Sequence, residues 1–371
     1  MAKAFGIVTS SGSHIHVEGM QDYRPIGSFS FLGRYRMVDF PVSNLSNSGV
    51  DRIQVYIQQN PRSLAEHLGT GRHYNINSKR GKLQLLFTED SRINDVYNTD
   101  IAGYAMHLDI IERMHQDYVV IVPSYMVYRQ DFNELIDAHV ESGADITMLY
   151  HKVDNADKSY RNCNLMKLNR QRGLKELVRN DGTSADENIF MDTYIMSRDV
   201  FVKLIKKAVS TSSVYTLADI INRQAESLDI RGVAHKGYFA AITDFKSFYD
   251  ANLELLDIDL AGTMFTEQWP FYTRTTDSSP VHYFEGCKVK NSMVANGSLI
   301  EGSIENCVIG RNVEIKKGAV LKNCVVLAQA VIGDGVYLEN QVVDKWAKIT
   351  NVKKIVAEPD KPGYIRRNDV L

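Results

Sequence analysis

Two turns carry the side chains best placed for chemistry. The apolar run Ala4–Val8 (AFGIV) ends in Thr9-Ser10-Ser11-Gly12-Ser13, where hydroxyls and one glycine could bring backbone N–H groups against a phosphate. A lone Gly12 serves equally well as a plain turn residue. His14 and His16 alternate just beyond, a spacing open to metal binding or, more simply, to exposed loop histidines. The run Tyr118–Val122 (YVVIV) stops at Pro123, and the next residues are Ser124-Tyr125-Met126, none of them a carboxylate for a hard cation. Cys163, Cys287, Cys307 and Cys324 are far apart, with no C-x-x-C and no Cys/His spacing suited to zinc. They read as reduced, buried or half-buried thiols.

These turns sit within alternating elements. Ala4–Val8, Ile53–Ile57, Tyr118–Val122 and Ile146–Tyr150 read as buried strands, and Arg62–Leu68, Tyr104–Met114 and Phe132–Glu141 as helices. Gly143 follows the last as a C-cap. Strand-helix alternation predicts an α/β domain with a mostly parallel sheet, Rossmann-like, over residues 1–255. Such sheets bind ligands at the carboxyl ends of their strands, which are the two turns above.

After about residue 285 the texture changes. Ile309, Ile315, Leu321 and Leu327 are six apart, as are Ile332 and Leu338, and Val343 and Ile349, with steps of five between runs. No proline lies between Pro280 and Pro359. One aliphatic residue per six predicts a left-handed parallel β-helix of hexapeptide repeats over 286–371, with the aliphatic residues stacked inside. An antiparallel sheet with coincidental spacing is the alternative. Residues 256–285 form the linker, with TEQWPFYTRTTDSSP as its loop-rich part.

Composition bounds the rest. The chain has 371 residues, 43 Lys and Arg against 45 Asp and Glu, and a net charge of −2. That balance argues against a nucleic-acid partner. The first residues lack a signal-peptide core and no apolar stretch is long enough to span a bilayer, so a cytoplasmic protein with no membrane contact is expected.

Arg24–Ile53 (RPIGSFSFLGRYRMVDFPVSNLSNSGVDRI) resembles the block after the phosphate loop in bacterial ADP-glucose pyrophosphorylases (glucose-1-phosphate adenylyltransferases), approximately K-P-A-V-x-F-G-G-x-Y-R-I-I-D-F-x-L-S-N-x-x-N-S-G-I. Asp117–Thr147 is similar to that family's strand, catalytic loop and helix, Gly237–Asp257 to its last sheet segment and helix, and the repeats from about Val294 to its C-terminal domain. The resemblance implies a reaction of ATP with glucose 1-phosphate in which Mg²⁺ bridges the two phosphates.

The positions that would carry this chemistry depart from the family. Its G-G-x-G-x-R-L loop corresponds to Thr9–Ile15, which keeps one glycine and no arginine. Its Gly-Asp-His corresponds to Ser124-Tyr125-Met126, so Tyr125 replaces a metal-binding Asp. Its second metal-binding Asp falls at Ala241 in GYFAAITD. Its sugar-contacting E-K-P has no counterpart, the nearest stretch being Val178-Arg179-Asn180-Asp181. The eroded loop and the two lost aspartates, three losses on a matching scaffold, resemble the GlgD-type subunits of the family. They imply a regulatory, catalytically weak or inactive chain that needs no cofactor itself, Mg²⁺ being implied only for a catalytic GlgC-type partner in a heterotetramer. A homodimer is open when that partner is missing.

The same resemblance implies vestigial nucleotide contacts at Ser10, Gly12 and Gln58. It also implies an effector or anion site near Arg24, Arg34, Arg36, Arg72 and His73, facing the β-helix and suited to phosphorylated small molecules. Solvated arginines or interdomain ion pairs are the plain alternative. Two other readings remain at this level. One is an active nucleotidyltransferase with metal ligands rerouted to Asp244 or Asp22. The other is a hexapeptide acyltransferase, which would need a histidine base beside the coil, whereas His282 is the last histidine.

Overall fold

In the computed structural model the described residues are 3–10, 15–58, 60–76, 79, 81–88 and 95–371. Gly12 and His14 lie outside them. Nine strands form the first sheet: β1 (Ala4–Thr9), β2 (Arg52–Ile57), β3 (Lys82–Phe87), β4 (Tyr118–Pro123), β5 (Ile146–Val153), β6 (Asn164–Leu168), β7 (Leu174–Arg179), β8 (Glu187–Ser197) and β9 (Ile230–Ala234). β1 is paired in parallel on both sides, to β2 and β4, and β3 extends that side from β2. This central placement explains the unbroken apolar run at Ala4–Val8: both of its faces are covered. β8 runs antiparallel to β4, β5 and β6, β7 runs antiparallel to β6, and β9 runs parallel to β5. The sheet is therefore mixed but mostly parallel.

The helix expected over Tyr104–Met114 is instead two pieces, Asp100–Met106 and Leu108–Glu112, broken at His107. His107 bonds the Phe87 carbonyl at 3.0 Å, which ties the break to the end of β3. Gly143 closes helix Phe132–Ser142 in the left-handed conformation, as expected.

Residues 256–285 include helix Ile258–Met264 and a strap packed on the first domain. Trp269 Nε1 donates to the Asn44 side chain at 2.9 Å and the Tyr272 amide to Ser43 Oγ at 2.9 Å.

From His282 the chain winds into three parallel five-stranded sheets, consistent with the left-handed β-helix expected. Ile309, Ile315, Leu321, Ile332, Leu338, Val343 and Ile349 fill its interior. Leu327 does not belong to that stack. Val326 takes the inner place, and Leu327 faces the first domain with Val308, Val325 and Val342.

The slip of period has a physical cause at one corner of the coil. Asn306, Asn323 and Asn340, 17 apart, each adopt a left-handed conformation there. Their side chains form a ladder, Asn306 to Asn323 at 3.2 Å and Asn323 to Asn340 at 3.1 Å. This tight corner shortens one step per coil. Asn323→Ala removes two ladder bonds and forces an alanine into the left-handed region, so a loss of about 1–3 kcal/mol is expected by urea unfolding. Asn323→Gly should lose less, because glycine relieves the backbone part.

Candidate functional site

The two positions at which the resemblance would place metal-binding aspartates are neighbours. Tyr125 follows β4, and the short strands Met126–Tyr128 and Phe239–Ala241 pair antiparallel with Met126 opposite Ala241. The Ile242 amide donates to the Tyr125 carbonyl at 2.9 Å. Both side chains are buried. At the two positions where the resemblance implies carboxylates, this chain presents a phenol and a methyl group.

The phenol has a partner that the sequence did not reveal. Tyr125 donates its hydroxyl to the Asp192 carboxylate. Asp192 sits at a bulge in β8, where the register slips between Phe190 and Thr193, and its φ is +43°. A non-glycine residue held there signals a local constraint. Burial pushes the Asp192 carboxyl up to about 6, against the Tyr125 bond and the Arg179 charge. Burial, followed by the Asp192 charge, pushes the Tyr125 phenol well up.

Beside this pair lies a cavity of about 150 Å³ at the carboxyl ends of β1 and β4, lined in part by Thr9, Ser10, Asp100, Arg179, Asp192 and Asp219. Asp100 accepts amides of Ile101 and Leu217 at 2.8 and 3.0 Å, which fixes the starts of two helices. Its burial pushes its carboxyl up to about 7. Three carboxyls against one guanidinium make this cleft poor for polyanionic substrates.

The residues present do not fit Mg²⁺ at the family's position. Tyr125 and Ala241 supply no ligand, and Asp244 instead caps helix Phe245–Glu254 by accepting the Ser247 amide at 2.7 Å. Asp22 is exposed. Among the described residues no three His, Cys, Asp or Glu side chains are grouped to hold a metal. Gln58 reaches the Thr99 carbonyl at 3.5 Å, and His16 is exposed. Val178-Arg179-Asn180-Asp181 divides: Arg179 lines the cleft, while Asn180 ties down the Ala156, Ser159 and Tyr160 carbonyls.

The five cations expected to share one site are dispersed. Arg24 and Arg36 line a cavity of about 580 Å³ between the domains, with Arg62, Glu66, Lys345, Trp346 and Arg367. Arg34 lines a separate cavity of about 610 Å³, with Arg311 from the β-helix. Arg72 is exposed, and His73 packs against His67 and Tyr74, lining neither cavity. Arg24 is itself an interdomain ion pair, its Nη2 lying 2.8 and 2.7 Å from the two oxygens of buried Asp344. Its Nε is buried without a partner.

In the 580 Å³ cavity Glu66 is the one carboxylate among the lining residues, and it is paired with Arg62 at 2.7 Å. Burial, then the Arg36 and Arg24 charges, push Lys345 down to about 7. Lys345 and Arg367 escaped the sequence reading because only folding brings the β-helix corner and tail against Arg24 and Arg36.

A mixed α/β sheet with its cleft at the strand ends, joined to a hexapeptide coil, defines a nucleotidyltransferase-type architecture. The chain belongs to the nucleotidyl transferase family, whose profile matches residues 23–258, and residues 282–364 match the GlmU-like C-terminal hexapeptide profile. It is 29% identical over 325 residues to the glycogen biosynthesis protein GlgD of Geobacillus stearothermophilus, covering 86% of this chain and 83% of that one. The GlgD of Bacillus subtilis (strain 168) is 27% identical over 364 residues, covering 98% and 95%. The glucose-1-phosphate adenylyltransferase of Fervidobacterium nodosum is 25% identical over 347 residues, covering 92% and 83%. No described helix is long and apolar enough to cross a membrane.

Proposed function

We propose that this chain is a regulatory, non-catalytic or weakly catalytic subunit of ADP-glucose pyrophosphorylase in glycogen biosynthesis, acting on a GlgC-type catalytic partner in a heterotetramer. The observation that carries this reading is the Tyr125–Asp192 bond, set beside Ala241 where two metal carboxylates are required. Without those ligands the developing phosphoryl charge lacks its main stabilisation, and a loss of at least about a thousandfold in rate follows. The negative cleft adds repulsion of both substrates.

The chain alone, with Mg²⁺, ATP and glucose 1-phosphate, should make ADP-glucose at least about a thousandfold more slowly than a catalytic relative. Mixed with such a relative, it should change that enzyme's substrate or effector response. Robust turnover by the pure chain would overturn the reading and favour an active enzyme with rerouted ligands.

The regulatory part is assigned to the 580 Å³ cavity, whose cations suit a phosphorylated effector. Inorganic phosphate is the simplest probe. Lys345 gains its proton as pH falls through about 7, so calorimetry should show several-fold tighter phosphate binding at pH 6 than at pH 8. Phosphate's own second ionisation works in the opposite direction, and sulfate, doubly charged at both pH values, is the control. Arg36→Gln should weaken binding at both.

A further inference from the structure

Lys345 is a cation without an acid of its own. It follows strand Gln341–Val343 at a corner of the β-helix and lines the interdomain cavity. The adjacent Asp344 carboxylate is already taken by Arg24, by the Tyr364 hydroxyl at 2.7 Å and by the Lys345 backbone amide. Among the described residues the Lys345 ammonium makes no salt bridge. The charged and titratable groups around it are Arg24, Arg36 and Tyr23 from the first domain, Arg62, Glu66 and His67 from helix Arg62–Leu68, and Asp344, Tyr364 and Arg367 from the β-helix side. Four of them are guanidiniums, a setting that disfavours a further positive charge and holds phosphate.

An amine crowded by cations beside a phosphate cradle has a specific chemical use. We propose that Lys345 is a site of direct acylation by acyl phosphates, with the cavity arginines holding the phosphate group while the amine attacks. The Lys345 Nζ lone pair forms a bond to the acyl carbon, and the carbon–oxygen bond to phosphate breaks. Inorganic phosphate leaves with that electron pair, the nitrogen proton passes to solvent, and an amide remains. No oxidant or reductant takes part. The modification removes a positive charge from the cavity, so it weakens anion binding there. The phosphate-holding part of this inference rests on the effector-site reading above. The lowered basicity of the amine rests instead on its burial and on the crowding of cations, not on that reading.

Burial and the neighbouring guanidiniums lower the Lys345 amine to about 7, so near neutral pH far more of it is free base than for an ordinary lysine. Its lower basicity makes it a weaker nucleophile and offsets part of that advantage. The test uses the full chain, acetyl phosphate and peptide mapping by mass spectrometry. At pH 7.5, Lys345 should be acetylated at least about tenfold faster than exposed Lys288 and Lys317. Its rate should rise through about pH 7 and then level, whereas theirs keep rising. Millimolar inorganic phosphate should slow Lys345 and leave the others unchanged, and Arg36→Gln should erase most of the preference. A Lys345 rate equal to that of the exposed lysines overturns the proposal, as does a preference indifferent to phosphate. Calorimetry with phosphate separates the two readings. Binding without selective acylation defeats this inference alone, whereas absence of binding defeats the effector site itself.

Discussion

Tyr125→Asp is expected to lower the unfolding free energy by about 3–5 kcal/mol at pH 8, and by clearly less at pH 5. Tyr125 is the hydrogen-bond donor to Asp192; the tyrosine is buried and the carboxylate is half-buried at the edge of the cleft. The substitution removes that donor and brings a second carboxylate towards the first in a site only partly open to water. Like charges so placed raise each other's proton affinity. Asp192 already ionises near 6 in the fold against an ordinary 3.8, so the folded protein takes up a proton that the unfolded chain does not. The penalty is therefore complete above the folded value and shrinks as pH falls through about 6 towards 4. Urea unfolding at the two pH values measures it.

Adding Ala241→Asp places a further carboxyl on the strand opposite Met126. Millimolar Mg²⁺ should then raise the double variant's midpoint and leave the native chain unchanged. An equal Mg²⁺ effect on the native chain would show that its cleft already holds a cation, contrary to the ligand set described. Unchanged stability of Tyr125→Asp at pH 8 would show that the bond to Asp192 contributes nothing.

Asp192 also shows where reading the sequence stopped. The apolar runs at Ala4–Val8 and Tyr118–Val122 revealed the central strands because a strand covered on both faces must be apolar throughout. The hexapeptide spacing revealed the coil because the same inward position recurs at every corner. Tyr125 and Ala241 could be singled out because each falls where the resemblance implies a carboxylate. Asp192 could not, because within IFMDTYIM it reads as one polar residue in an apolar strand. Only the bulge at Phe190–Thr193 turns it onto Tyr125.

The cation cluster failed for a different reason. Arg34 and Arg36 are two apart, a spacing that would share one face of a regular strand, but Arg34 lies in the turn after left-handed Leu32 and Gly33, outside the two-residue strand Tyr35–Arg36, and the two line different cavities. Leu327 was misplaced by one position because the left-handed Asn323 shortens the step before it. In each case the missing information was a local backbone irregularity, to which side-chain periodicity is blind.

The domain junction carries the second large effect. Asp344→Ala is expected to cost about 3–5 kcal/mol at pH 7. Arg24 is 3% exposed and Asp344 fully buried, so removing the carboxylate strands a guanidinium in a place where water cannot solvate it. Lys345, Arg36 and Arg367 crowd the same space, which makes the stranded charge worse. The hydroxyl of Tyr364 and the Lys345 amide lose their acceptor as well. Replacing both members, Arg24→Met with Asp344→Leu, should recover most of the loss, because the large cost comes from the orphaned charge rather than from the pair's net attraction.

The same argument links stability to the anion cavity. Once Asp344 is gone, the one carboxylate left among the cavity's lining residues is Glu66, already paired with Arg62, so a phosphate in the cavity would be a new source of negative charge for Arg24, whose Nε is already unpartnered. Phosphate should therefore raise the melting temperature of Asp344→Ala by more than it raises that of the native chain. Equal shifts would mean that Arg24 does not share the cavity's ligand, and a loss under about 1 kcal/mol would mean that the ion pair does not hold the two domains together. With the larger shift in Asp344→Ala, the carboxylate and the effector are alternative partners of one arginine, and occupancy of the cavity acts directly on the contact between the sheet domain and the coil.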